Sequence, residues 1–108
     1  LGCAELDPTA AGGFGLVHTV ISAAHVARFR QEEVDGVVDT LRTAAEAEVA
    51  AVFKQVGPTR WTISLRSRGR VDVAAAAKAL GGGGHPRAAG VTLEGTAGEA
   101  VAALRAVL

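Results

Sequence analysis

The chain has 108 residues, 11 basic and 11 acidic side chains, and an apolar half built mostly from Ala, Val and Leu, with no Tyr or Met. That length suits one domain and excludes a core plus a second full domain. No apolar run approaches the roughly 20 residues that span a bilayer, and the N-terminus lacks a basic region followed by a hydrophobic stretch. The expectation is therefore a soluble, cytoplasmic protein with no membrane partner. The single Cys3 cannot form an internal disulfide, which is compatible with a reducing compartment.

Charge is balanced overall but unevenly spread. Residues 1–54 carry eight acidic groups against four basic ones, and residues 55–108 carry three against seven. Between residues 60 and 87, Arg60, Arg66, Arg68, Arg70, Lys78 and Arg87 face only Asp72. A local basic field of this size attracts a small anion or a few phosphates. It is too small for a long duplex.

In chain order, residues 1–13 hold Pro8, Gly12 and Gly13 among small and polar residues and read as a linker stub. Residues 14–21 are apolar with β-branched side chains and predict a strand. His18 lies inside that run with no second ligand at metal spacing, so it reads as a packed histidine. Ser22 is placed to cap a helix running to residue 30, with Val26 and Phe29 inward. Val34, Val37, Val38 and Leu41 form the stripe of a second helix. Its Asp35 and Asp39 read as a solvated acidic face rather than as paired catalytic carboxylates.

Residues 47–56 are apolar on both faces and predict a central strand. Gly57 and Pro58 turn the chain into a strand over 61–67, an antiparallel hairpin. In that second strand Trp61, Ile63 and Leu65 alternate with Thr62, Ser64 and Arg66, so one face of the sheet is polar and carries a guanidinium. Asp72 caps the next helix, whose buried stripe is Val73, Ala76, Ala77 and Leu80, and Gly81 ends it as a left-handed cap. A strand over 88–93 and a helix opened by the capping box Thr96 and Glu99 complete the chain. The order β-α-α-β-β-α-β-α implies an α/β single domain, a mixed β-sheet packed by helices.

The run Gly81, Gly82, Gly83, Gly84, His85, Pro86, Arg87, Ala88, Ala89, Gly90 joins that helix to the last strand. Four glycines in a row are a stability liability unless something requires them. Their amides, with that of His85, are unobstructed by side chains and suit an anion-binding nest. Arg66 supplies planar charge-assisted donors for a phosphate, Ser67 a hydroxyl, and His85 a donor to phosphate or to a base edge. The chain contains no Asp and His cluster at metal spacing, no Gly-Lys-Ser/Thr phosphate loop and no nucleophile beside a base. It is suited to holding a phosphorylated ligand rather than to cutting one.

The residues 61–69, then Val71, Asp72 and Val73, then 81–90 resemble the C-terminal substrate-binding domain of the DHH-family phosphoesterases, the DHH-associated domain fold. The likeness is nearest to the oligoribonuclease (nano-RNase) and phosphoadenosine-phosphate phosphatase branch. It covers residues 14–108, and residues 34–39 and 47–54 fit the same branch. It implies that residues 1–13 join a missing N-terminal DHH catalytic domain, in which two manganese ions activate water. It further implies that Arg66 and Ser67 hold substrate phosphate, and that Gly82, Gly83, Gly84 and His85 contact a terminal phosphate and nucleotide. Ala88 and Ala89 would permit close approach, and Arg68 and Arg87 would add phosphate contacts. The implied ligands are short single-stranded RNA, dinucleotides such as linear diadenylate, and phosphoadenosine phosphate. Three alternatives stay open: a stand-alone nucleotide-binding or regulatory module, the same domain from a single-strand exonuclease or cyclic-dinucleotide phosphodiesterase, and a packing element that forms a homodimer.

Overall fold

In the computed structural model, which describes residues 4–26, 33, 36–38, 41 and 47–108, the strands are β1 (Glu5–Asp7), β2 (Leu16–Ile21), β3 (Val49–Gly57), β4 (Arg60–Ser67), β5 (Gly83–His85) and β6 (Ala88–Glu94). They form one sheet in the order β1-β2-β3-β4-β6-β5. The pair β2 and β3 is parallel and every other pair is antiparallel, so the sheet is mixed, as predicted. The described helices are α1 (Ala23–Val26), α2 (Val73–Ala79) and α3 (Ala97–Val107). Residues 33, 36–38 and 41, in the stretch predicted as the second helix, are helical. The rest of the helix expected to run to residue 30, together with Val34, Asp35 and Asp39, lies outside the described residues.

The middle strands are legible from their own side chains. Val49, Ala50, Ala51, Val52 and Phe53 are all buried, because β3 is covered on both faces. On one face Val49, Ala51, Phe53, Trp61, Ile63, Leu65, Ala89 and Val91 pack beneath α2 and α3, which contribute Val73, Ala77, Ala100 and Leu104. On the other, Val17, Ile21, Ala50 and Val52 are covered by Val38, Val37 and Leu41. That second cover lies over β2 and β3.

Both helices start where the capping residues place them. The Asp72 carboxylate accepts from the Ala75 amide at 3.0 Å, and Thr96 and Glu99 exchange bonds at 3.1 and 2.9 Å in a full capping box. At the far end of α2, the Gly81 amide donates to Lys78 and the Gly82 amide to Ala77, with Gly81 at φ +95°. These are the paired bonds of a Schellman ending, and the left-handed backbone requires glycine at residue 81.

Ordered structure begins earlier than the sequence indicates. Glu5–Asp7 pairs with β2 as an edge strand, within the stretch read as a linker stub. Asp7 is held by the Arg105 guanidinium of α3 at 3.3 Å, and its carboxyl lies below the usual range because Thr9 donates to it.

His18 is packed, as expected. Its ring meets Phe53 edge-on, with centroids 5.6 Å apart, and its buried Nδ1 has no hydrogen-bond partner among the described residues. Burial pushes its pKa down and outweighs the opposing pull of Glu5, whose carboxylate lies 3.6 Å from Nε2. Below the ordinary histidine value of about 6.5 the unfolded chain therefore binds more protons than the folded one. Stability should fall as pH drops through that window, and His18→Gln should flatten the fall. Urea midpoints measured at pH 7.5 and 5.5 on both proteins check this; equal acid losses in the two would count against it.

Candidate ligand face

The glycine run becomes an antiparallel hairpin in the structure. Gly83 pairs with Gly90, Gly84 with Ala89 and His85 with Ala88, and Pro86 and Arg87 make the turn. This corrects the expected nest of five open amides, since those of Gly81 and Gly82 are engaged by α2 carbonyls and the next three residues form an edge strand. The Pro86 carbonyl accepts from the Val73 amide at 3.0 Å, and the Arg87 carbonyl accepts from the Ser67 amide at 2.9 Å. The turn is thus tied both to the start of α2 and to the end of β4.

The four glycines have different reasons to be glycine. A Cβ on Gly82 would collide with the Gly90 carbonyl oxygen and with Val91. Gly84 has φ +144°, and a Cβ there would stand 2.5 Å from the Ala89 Cα. Gly81 ends the helix. Gly83 alone among them meets nothing within 4 Å and has no positive φ. Neither backbone conformation nor packing within the described chain demands glycine there.

Register shows what Gly83 faces. Directly paired residues of antiparallel strands point to the same side. Arg66 pairs with Ala88 and Ala88 with His85, while Ser64 pairs with Gly90 and Gly90 with Gly83. Two rows therefore cross β4, β6 and β5 on the face opposite α2 and α3. One runs Arg66, Ala88, His85 and the other Ser64, Gly90, Gly83. The floor is bare or small, a basic side chain stands at each end of the first row, and these residues are half-buried or exposed.

The ten residues singled out from the sequence are divided by this geometry. Arg66, Gly83, His85 and Ala88 share the open face. Gly82 and Gly84 permit the close approach of the hairpin, and Ala89 is buried in the helix-side core. Ser67 is fully buried, its hydroxyl donating toward Glu48 at 3.4 Å and accepting from the Gly69 amide at 3.0 Å. It organises the loop after β4. Arg87 lies along that loop, since a Cβ on Gly69 would come within 2.9 Å of its guanidinium. Arg68 lines a neighbouring cleft of about 440 Å³ with Phe14, Ala47, Glu48 and Arg70. Sequence reasoning missed that cleft, because its walls come from three separated segments; the alternation Arg66, Arg68, Arg70 was the available signal. Among the described residues no three His, Cys, Asp or Glu side chains converge as a metal site, and no helix is long and apolar enough to cross a membrane.

The domain is thus an α/β fold whose mixed sheet carries α2 and α3 on one side, while its other side is covered over β2 and β3 and open, with basic side chains, over β4, β6 and β5. The model of the DHHA1 domain matches residues 16–108, and the chain belongs to that family, a domain of the DHH-family phosphoesterases. It is 42% identical over 65 residues to the bifunctional oligoribonuclease and PAP phosphatase NrnA of Thermus thermophilus, a match covering 60% of this chain and 20% of that protein. The chain thus matches about a fifth of that relative's length. Solved structures share the fold. An exopolyphosphatase-related protein from Bacteroides fragilis aligns with TM-score 0.73 and 21% identity over 85% of this chain and 28% of its own. The C-Ala domain of Aquifex aeolicus alanyl-tRNA synthetase aligns with TM-score 0.70 and 18% identity over 96% and 97%. The pGpG-specific phosphodiesterase PggH from Vibrio cholerae aligns with TM-score 0.59 and 10% identity over 97% and 35%.

The differing roles of the glycines can be separated by experiment. Gly82→Ala should destabilise the domain by about 1–3 kcal/mol through overpacking against backbone, whereas Gly83→Ala should change stability by less than about 1 kcal/mol. Thermal denaturation of both variants checks this. Equal losses would show that the open face at residue 83 has been misplaced.

Proposed function

We propose that this chain is the substrate-binding domain of a metal-dependent DHH-family phosphoesterase acting on very short RNAs, linear diadenylate and phosphoadenosine phosphate. The observation that carries the reading is Gly83, a glycine that the fold does not require, on a bare floor between Arg66 and His85. A backbone kept free of side chains admits a ligand to close range, and flanking charge-assisted donors suit phosphate oxygens. The identity to a protein named as an oligoribonuclease and PAP phosphatase supports this substrate class.

In this reading Arg66 clamps a phosphate from the β4 side, and His85 donates to a second phosphate oxygen or to the nucleotide from the β5 side. Arg68 and Arg87 add positive potential at the same end of the sheet. Ser67 acts as a positioning residue, through the loop that it holds with Glu48, rather than as a direct phosphate donor. Water activation, the chemistry expected of two manganese ions, belongs to an N-terminal catalytic domain joined through the start of this chain.

Affinity for 5′-phosphorylated diadenylate should drop about tenfold or more in Arg66→Ala and in His85→Ala, as expected for a lost charged hydrogen bond of roughly 1.5–3 kcal/mol. Calorimetric titration, with melting curves to verify folding, measures both; unchanged affinity in the two variants would reject the face. The chain alone with added manganese should not hydrolyse the dinucleotide, and enzyme-like turnover would overturn the division of labour.

A further inference from the structure

The cleft beside the ligand face has an aromatic wall that phosphate binding does not explain. Among the described Phe and Trp residues, Phe53 and Trp61 are buried, whereas Phe14 is 46% exposed. Phe14 lines the cleft together with Ala47, Glu48, Arg68 and Arg70. The Glu48 carboxylate offsets one of the two guanidinium charges there, which weakens the pull on a further anion. The Arg70 guanidinium lies over the Phe14 ring, 5.8 Å from its centroid. An exposed ring beside a planar cation is a stacking surface for a flat, uncharged group.

One residue fixes both parts of that surface. The Glu48 amide donates to the Phe14 carbonyl at 3.1 Å, and the Glu48 Oε2 accepts from the Arg70 amide at 2.9 Å. The Val49 amide donates to the Gly15 carbonyl at 3.1 Å, so the residue after Phe14 is tied to β3 as well. The surface is therefore in place before a ligand arrives, and little backbone ordering opposes binding. Its position follows from the register. Ala50 pairs with Arg66 and Val49 with Ser67, and the Arg68 amide donates to the Glu48 carbonyl at 3.0 Å. The cleft thus opens two residues past Arg66, about 7 Å along the strand direction. A ribose attached to a phosphate at Arg66 bridges that distance and delivers its base to Phe14.

Resting on the phosphate face as read above, we infer that this cleft is a stacking subsite for the nucleobase of the bound nucleotide, and that it takes any base. Phe14 and Arg70 meet the base through its flat faces, which every base has, so hydrogen-bonding edges do not decide occupancy. Such a subsite suits a domain whose ligands are adenine nucleotides and very short RNAs of varied sequence. At about 440 Å³ the cleft has room for one purine.

Titrations of the chain with 5′-AMP, 5′-UMP and ribose 5-phosphate, followed by amide chemical shifts, test this. Both nucleotides should bind about fivefold or more tightly than ribose 5-phosphate, with shifts at Phe14, Glu48 and Arg70 that the sugar phosphate does not produce. Phe14→Ala, at an exposed side chain outside the core, should bring both nucleotides down to the affinity of ribose 5-phosphate and leave that ligand unchanged. Phe14→Trp, which keeps a stacking face, should retain the gain. A gain for one nucleotide only would overturn the indifference to base. Equal binding of all three ligands, or a nucleotide gain that survives Phe14→Ala, would overturn the base subsite and leave the phosphate face standing. No binding of any of the three would overturn both.

Discussion

The close approach of β5 to β6 is the constraint on which the ligand face depends. Gly82 and Gly84 let the hairpin lie so near β6 that a single Cβ at either position would enter backbone atoms. That contact brings His85 into the row with Ala88 and Arg66, and sets Gly83 beside Gly90 and Ser64. The hairpin is in turn anchored by the Schellman ending of α2 and by the bonds from Val73 and Ser67 to the turn carbonyls. A run of four glycines, which alone would be a tether, thereby becomes the edge of a sheet. The entropic penalty of ordering it is offset by bonds to three different elements.

Much of this fold is visible in the residues themselves. The alternation of Trp61, Ile63 and Leu65 with Thr62, Ser64 and Arg66 identifies β4 and its open face, since the period of a strand separates core from solvent. Asp72, Gly81, Thr96 and Glu99 mark helix ends through side-chain and backbone chemistry that operates locally. The two edge strands carry no such pattern. Glu5–Asp7 is too short and polar to alternate, and becomes a strand only by pairing with β2. Gly83–His85 consists mainly of glycine, a residue depleted in strands, and is defined by its partner β6.

The candidate site was legible as a composition and not as a geometry. Arg66, the glycines and His85 stand out in the chain, but nothing in their order says which glycine serves the fold and which serves the ligand. That distinction requires φ angles and neighbours. Ser67 is the instructive case, because a serine after an arginine looks like a phosphate donor. In the folded chain it is buried on Glu48 and Gly69. The same burial assembles the cleft of Phe14, Glu48 and Arg70, whose parts lie too far apart in sequence to suggest one another.

The central claim is that the face opposite α2 and α3, across β4, β6 and β5, receives the ligand. Amide chemical-shift mapping with 5′-phosphorylated diadenylate tests it most directly. The account expects saturable shifts at Ser64, Arg66, Gly83, His85, Ala88 and Gly90, with α3 unmoved. Shifts confined to the helix side, or none at millimolar ligand, would contradict it.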